Sequence, residues 1–277
     1  MADIERCLLD SMKQFSQAVH EIQTMDSMAG RDQWVNRLHP LVKLFITVFY
    51  IATVVSFPRY EPVGVLGMCI YPILLFSAAE LSFREALYRL RIVLPVVCAV
   101  GIWNPLFDHT AYIQVGKFTV TGGMVSMLTL IVKGIFTVLA AYLLIATTSI
   151  EKICYALRML HVPKLLVTQI LLSYRYITVL LAEAERMSQA YALRAPGQKG
   201  IHYKAWGSFL GGLLLRSMDR AQELYESMCV RGYRGEFYYG NRQRVRAADV
   251  AYLLIAAAGM LLFRLVPVFE LVGSLFV

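Results

Sequence analysis

The chain has 277 residues, of which 58% are hydrophobic, and its mean hydropathy is +0.56. This composition excludes an ordinary soluble domain and is typical of a protein embedded in a membrane. The formal net charge is +8, and the basic residues are concentrated between apolar segments. We therefore predict an all-α polytopic membrane protein surrounded by a lipid bilayer, with no nucleic-acid partner.

The N-terminal segment, residues 1–37, is polar and charged. A cleavable signal peptide has an apolar core of about 7–15 residues near its start, and none is visible here. We expect the first membrane segment to act as its own insertion signal, and we assign residues 1–30 no role.

Five apolar segments are candidate membrane spans, because a helix needs about 20 apolar residues to cross a bilayer. They cover residues 41–57, 62–79, 92–107, 123–150 and 250–277. The third is short and contains Pro95 and Pro105. We predict four transmembrane helices within 38–150 and a final one within 250–277, with region 151–249 between them.

The distribution of Lys and Arg predicts which side each loop faces. Of the 27 basic residues, 22 lie before the first span, between spans two and three, or within 151–249. The other five are Arg59 and Lys117 in the opposite loops, and Lys43, Lys133 and Arg264 inside the spans. Because basic loops stay on the cytoplasmic side, we expect a cytoplasmic N-terminus and region 151–249, and an external C-terminus. Lys43 lies near a membrane end, where it can snorkel.

A small hairpin is predicted in the external loop 108–122. Its two strands would be Tyr112-Ile113-Gln114-Val115 and Lys117-Phe118-Thr119-Val120, separated by Gly116.

Region 151–249 has the pattern of three helices. A short one follows Ser149, which suits an N-cap, and runs to about residue 160. A second runs from Pro163, placed in the first turn, to about Ala195. A third runs from about residue 203 to 231 and is rich in glycine, which permits close packing (Gly207, Gly211 and Gly212). Because the two long helices carry charge, we expect them to lie obliquely on the cytoplasmic surface.

Each long helix ends in an arginine turn. The first is Leu193-Arg194-Ala195, followed by Pro196-Gly197, and the second is Val230-Arg231-Gly232. The helix dipole favours a cation at a C-terminus, and the guanidinium is a planar fork suited to a carboxylate. We predict these two turns as contacts with acidic grooves of a partner. The alternative is a basic amphipathic pair that only decorates an anionic lipid surface.

Four motifs in order resemble one family. Leu38-His39-Pro40-Leu41-Val42-Lys43-Leu44 is similar to a motif written L-D-P-x-x-K-L, with His39 in place of Asp. Ala146-Thr147-Thr148-Ser149 through Leu157 is similar to a T-T-(x)n-A-L segment. Arg175 to Glu183 is similar to an R-(x)n-E pattern, and Arg194 and Arg231 stand where two A-R-G-type motifs are expected. The chain resembles the transmembrane component of energy-coupling factor transporters, which includes the CbiQ subunits of cobalt importers.

This resemblance implies a transport subunit rather than an enzyme. It would bind two ABC-type ATPases through Arg194 and Arg231. It would also bind a small substrate-specific membrane subunit, either an S component or a cobalt-binding subunit, along the long helices. The partners would bind ATP, this chain would hold no cofactor or metal, and the cargo would be a vitamin or a transition metal ion such as cobalt. In agreement with that division of labour, the sequence has no G-x-x-x-x-G-K-[S/T] phosphate loop.

Two other classes of function are weighed against this hypothesis. A secondary transporter would favour inverted repeats and broken helices, and Pro95 and Pro105 interrupt one span. A membrane-embedded hydrolase could use Ser126 and Lys133, which lie seven residues apart on one helical face, although bonding distance is not expected. No role is assigned to Lys133, and Arg264 and Glu270 are treated as tilt or interface residues.

Overall fold

The computed structural model describes residues 24, 27–30, 33–60, 62–81, 83–107, 111–115, 118–195, 201–235 and 245–265. Eleven α-helices and one pair of strands are defined within these ranges, together with a 3₁₀ turn at Tyr203–Ala205. In chain order they are α1 (Trp34–Arg37), α2 (Pro40–Ser56), α3 (Pro62–Gly67), α4 (Ile70–Ala78), α5 (Phe83–Gly101), α6 (Trp103–Phe107), β1 (Ala111–Val115), β2 (Phe118–Thr121), α7 (Gly122–Thr147), α8 (Ile150–Met159), α9 (Lys164–Arg194), α10 (Trp206–Val230) and α11 (Ala247–Leu265).

These elements fall into two compact units. The apolar unit contains α1–α7, the strand pair and α11, and the amphipathic unit contains α8–α10.

Three described helices, α7, α9 and α11, are long and apolar enough to cross a membrane. Shorter apolar helical stretches cover Pro40–Ser56, Gly64–Ala78 and Val93–Pro105. The helical membrane fold is thus confirmed, while the number of spans stays a prediction. The charge of α9 is less uniform than predicted, because one 18-residue window of this helix is apolar enough for a span. Its expected position on the membrane surface remains untested.

Two predicted spans have different boundaries in the structure. Segment 62–79 is not one helix but two, since α3 ends at Gly67 and α4 begins at Ile70. At the break, the Met68 and Cys69 amides donate to carbonyls three residues earlier, which tightens the turn. The segment predicted as the third span, 92–107, is divided between α5, which begins earlier at Phe83, includes Pro95 and ends at Gly101, and the short helix α6.

The predicted hairpin is confirmed. Strands β1 and β2 pair antiparallel with Ile113 opposite Val120 and Val115 opposite Phe118. Gly116 and Lys117 lie outside the described residues.

The core of the apolar unit lies where α2, α3, α7 and α11 meet. It contains Val42, Ile46, Tyr50, Val54, Phe57, Val65, Met68, Phe136, Ala140 and Met260. The hydroxyl of Tyr50 is fully buried and donates to the Met68 carbonyl at 3.0 Å, so its polar group is satisfied. Helices α5 and α7 approach closely at Gly134, where an added Cβ would lie 3.1 Å from Val97.

Buried polar groups join the first-span motif to distant parts of the chain. His39 is the N-cap of α2, and its Nδ1 accepts from the Leu41 amide at 3.2 Å. The imidazole nitrogen thus caps the helix in the way that an Asp carboxylate caps many helix N-termini. The His39 amide donates to Oδ1 of buried Asp249 at 3.2 Å, and Oδ2 of Asp249 accepts from the Arg246 amide at 2.9 Å.

Lys43 does not snorkel as expected. It is 6% exposed, and its Nζ donates to the carbonyl of Thr147, the last residue of α7, at 2.9 Å. The ammonium therefore satisfies a helix-end carbonyl that has no partner within its own helix. This bond brings together two of the motifs on which the family resemblance rests.

The cations Lys133 and Arg264 both lie at the C-terminal end of α2. Lys133 Nζ donates to the carbonyls of Val55 at 3.0 Å and Phe57 at 2.6 Å. Arg264 donates to the Ser56 carbonyl at 3.1 Å, and its guanidinium lies 4.7 Å from the centre of the Phe57 ring. Arg264 thus bridges α2 and α11 as an interface residue, whereas Glu270 lies outside the described residues.

The structure gives no support to the hydrolase alternative. Ser126 Oγ accepts a hydrogen bond from Asn104 at 3.3 Å, while Lys133 is directed at carbonyls of α2. The serine and the lysine therefore have separate partners.

Candidate coupling site

Helices α8 and α9 of the amphipathic unit are held together by a small apolar core. Helix α8 begins directly after Ser149, as predicted. Cys154 of α8 packs with Val167 and Leu171 of α9, and burial, followed by the charge of Glu151, raises the pKa of the Cys154 thiol. Pro163 is the N-cap of α9 rather than a residue of its first turn, with an extended ψ of 135°.

Helix α8 ends in a left-handed turn that the sequence did not reveal. His161 has φ +62°, an uncommon conformation for a residue with a side chain. Its amide donates to Arg158, and the Val162 amide donates to Leu157, which is the hydrogen-bond pattern of a Schellman motif. Val162 and Leu157 also pack in the same apolar cluster, which accompanies such motifs. Histidine carries no glycine-like signal, so this turn could not be read from composition.

The first predicted turn lies at the end of α9. Arg194 is the last helical residue, and the amide of Ala195 donates to the Tyr191 carbonyl at 3.0 Å. Ala195 leaves the helix with φ −122° and ψ 66°, so no left-handed residue is required. Leu193 is 70% exposed and Arg194 is also exposed. Pro196 and Gly197, expected to break the helix, lie outside the described residues.

The second predicted turn ends α10 differently. Arg231 is the C-cap, and Gly232 follows with φ +84°. The Gly232 amide donates to Cys229 and the Tyr233 amide to Met228, both at 2.9 Å, which completes a Schellman motif. The prediction that Gly232 is the residue after the C-cap is therefore confirmed. Val230 is 90% exposed, and Arg231 is exposed as well.

Both predicted arginines are exposed side chains at the ends of long helices. Within the part of the chain that the structure describes, neither the Arg194 nor the Arg231 guanidinium makes a hydrogen bond or an ion pair. Each guanidinium thus presents its planar set of N–H donors at an exposed helix end.

Gly212 and Glu183 both take part in the contact between helices α9 and α10. A Cβ on Gly212 would lie 3.2 Å from the Met187 side chain, whereas Gly207 and Gly211 face open space. The predicted close packing thus applies to Gly212 alone of the three. Glu183 of α9 forms ion pairs with Arg216 of α10 and, at 3.6 Å, with Arg186.

The two residues of the predicted R-(x)n-E pattern have different partners. Glu183 bridges to α10, while Arg175 pairs with Glu151 of α8 at 3.0 Å. Both members of the second pair are more than 60% exposed, so solvent screens it and it contributes little to stability.

A mixed-charge cleft lies between α9 and α10. Its lining includes Arg216, Arg220 and Glu223, which the sequence predicted on one helical face, and Arg220 pairs with Glu223 at 3.4 Å. Further along α10, the hydrogen bond with Cys229 raises the pKa of the Tyr225 hydroxyl. Among the described residues, no three His, Cys, Asp or Glu side chains come together as a metal site would require.

With this geometry established, comparison with known proteins identifies the family. Residues 31–240 match the family of cobalt transport proteins, CbiQ. The chain belongs to this family. The matched region includes the first-span motif, the Thr147-Thr148 segment and both arginine turns.

Named relatives agree with this assignment. The energy-coupling factor transporter transmembrane protein EcfT of Bacillus subtilis is 26% identical over 216 residues, or 73% of this chain and 81% of that protein. Nickel permease LarQ of Lactiplantibacillus plantarum is 29% identical over 112 residues, or 40% of each chain. An uncharacterized protein of Methanocaldococcus jannaschii is 30% identical over 136 residues, and this match spans about half the length of that relative, 47%. The chain is thus a membrane protein of a transport family.

Proposed function

We propose that this chain is the coupling subunit of an energy-coupling factor importer in the cell membrane. It binds two ABC-type ATPases through the turns that contain Arg194 and Arg231. It also binds a small substrate-specific membrane subunit along α9 and α10. Motion of the ATPases, which bind and hydrolyse the ATP, is transmitted through these helices and releases the cargo inward.

The observation that carries this proposal is the state of the two arginines. Each stands at the exposed C-terminal end of a long helix, and neither bonds to a described residue. A charged side chain held at a defined helix end without an internal partner is suited to contact a carboxylate on another protein. Helices α9 and α10 are also linked by the contact at Gly212 and by the Glu183–Arg216 pair. A displacement of one helix can therefore be transmitted to the other.

The proposed orientation places the N-terminus and α8–α10 in the cytoplasm, where the ATPases are. The distribution of basic residues along the sequence supports this orientation. For the cargo, a transition metal ion is favoured over a vitamin because the matched family is described by cobalt transport and one relative is named a nickel permease.

The test is recovery of the tagged chain from membranes in gentle detergent, with mass spectrometry of the proteins that accompany it. Two homologous ABC ATPases and a small membrane protein are expected, and the small protein would identify the cargo. Recovery of the chain without ATPases, under conditions that preserve a known complex of this type, would contradict the proposal. That result would favour the alternative functions, a secondary transporter or a scaffold on the lipid surface.

A further inference from the structure

The C-terminal end of α2 collects positive charge from three parts of the chain. Lys133 from α7 and Arg264 from α11 donate to the carbonyls of residues 55–57. Arg59 follows two residues after Phe57 and is exposed. Arg264 and Arg59 are also the cations that act electrostatically on Lys133. We call these three side chains the α2-end cluster.

Capping of α2 does not use the full charge of this cluster. The carbonyls at a helix C-terminus carry about half a negative charge in total, against three positive charges. Lys133 has three N–H donors and directs two of them to described carbonyls, whereas Arg264 has five and directs one. Most donors of the cluster thus have no acceptor among the residues that the structure describes.

The acids of the described apolar unit do not supply the missing negative charge. Glu80 accepts from Gln33 at 3.2 Å, and Glu85 accepts from Tyr142 at 3.4 Å. Asp249 is bonded to the amides of His39 and Arg246. Glu61, close to Arg59 in the sequence, lies outside the described residues.

Apolar side chains surround the cluster, among them Val55, Phe57 and Leu262. A bound anion would therefore stabilise its positive charges. Helix α2 has 17 residues and is therefore about 25 Å long, shorter than a bilayer core of about 30 Å. An uncompensated cation near hydrocarbon is costly unless an anion or water reaches it. If α2 spans the bilayer as the sequence predicts, its C-terminal end lies close to one membrane surface, where lipid headgroups supply phosphate.

We propose that Lys133, Arg264 and Arg59 bind the phosphate group of one anionic lipid at the C-terminal end of α2. The guanidinium groups match a phosphate with paired N–H donors, and the ammonium adds a point charge. The apolar chains of the lipid would lie beside the exposed side chains of α2 and α11, including Val55 and Leu262.

The experiment is native mass spectrometry of the full chain, with its accompanying subunits, titrated with phosphatidylglycerol or phosphatidylcholine. Wild type is expected to retain one phosphatidylglycerol in preference to phosphatidylcholine. Arg59→Gln should weaken that binding about five-fold, the typical contribution of one basic residue at an anionic surface, and Arg59→Gln/Arg264→Gln should abolish the preference. Arg246→Gln, which removes an exposed cation at the opposite end of α11, is the matched control and should bind as wild type does.

Arg59→Gln keeps the test independent of folding, because Arg59 makes no capping hydrogen bond to a described residue. Equal retention of both lipids by wild type, or unchanged binding in the double variant, would overturn the proposal. An arm with inorganic phosphate separates the two sources of the same chemistry. Displacement of the lipid by millimolar phosphate, with phosphate itself retained, would assign the cluster to a free anion and reject the lipid.

Discussion

Cations stand at helix C-termini in both units, but their surroundings differ. In the apolar unit, Lys43, Lys133 and Arg264 turn onto carbonyls at the ends of α7 and α2. In the amphipathic unit, Arg194 and Arg231 stand at the ends of α9 and α10 and bond to none of the described residues. The same residue types at the same kind of position thus have partners within the fold in one unit and none among the described residues in the other.

The difference has a physical reason, which separates cations that the fold requires from the two that we propose for docking. A buried carbonyl without a partner is costly, so a cation that reaches it becomes part of the fold. At an exposed helix end, water satisfies the carbonyls, and backbone turns such as the one at Gly232 satisfy the rest. We therefore expect that the fold does not require the arginine beside such a turn. Variants that separate docking from stability test this distinction.

The largest effect is expected from Arg194→Glu/Arg231→Glu. If each arginine contacts a carboxylate that is buried in the complex, breaking one contact costs about 3–5 kcal/mol, or roughly two to four orders of magnitude in affinity. The double variant should lose its ATPases in the pull-down and abolish transport, while its thermal unfolding stays unchanged. Arg246→Glu is the control and should retain the partners. Recovery of the ATPases with the double variant at the wild-type level would contradict the coupling hypothesis.

The opposite behaviour is expected from Lys43→Met. This change keeps an unbranched side chain of similar length but leaves the buried Thr147 carbonyl without its donor. The loss costs about 1–3 kcal/mol of folding free energy. Thermal unfolding in detergent should shift to a lower temperature. The matched variant Arg194→Met should leave the unfolding temperature unchanged. Equal shifts for the two variants would remove the distinction between the two kinds of cation.

Two helix ends with the same hydrogen-bond pattern should respond with opposite sign. Gly232→Ala meets no atom within 4 Å, so its only cost is the left-handed backbone, about 1 kcal/mol. His161→Gly removes that same strain from the end of α8 and should stabilise the protein by up to about 1 kcal/mol. Both are measured as shifts in thermal unfolding. A destabilised His161→Gly variant would mean that the histidine side chain contributes more than its backbone conformation costs.

The smallest effect is expected from the ion pair between α9 and α10. A double-mutant cycle of Glu183→Gln and Arg216→Gln should give a coupling energy of about 0.2–1 kcal/mol, because Arg216 is largely exposed and screened. Thermal unfolding measures this stability term, and transport assays of the same variants test the transmission of motion. A coupling energy near zero together with unchanged transport would show that neither stability nor transmission depends on this ion pair.

Much of the fold was predictable because hydropathy and local turn chemistry decide it. The boundaries of the long helices α9 and α10 were predicted to within a few residues. The position of Gly232 was predicted correctly because glycine readily adopts the left-handed backbone that follows a helix C-cap. The strand pair followed from alternation around Gly116. The break between α3 and α4 was missed because segment 62–79 is uncharged and apolar enough for one span, and Gly67, which ends α3, was not interpreted as a helix end.

The sequence by itself determined that this is a helical membrane protein with two arginine turns at the ends of long helices. Those properties depend on composition and on residues a few positions apart. Only the tertiary structure decided which charged side chains are part of the fold: Lys43 donates to the Thr147 carbonyl, Asp249 accepts from the His39 amide and Arg264 donates to the Ser56 carbonyl, across more than 100 residues of chain in each case. Such pairs form because packed helices bury carbonyls and amides that must find partners, and no local pattern states where those partners lie.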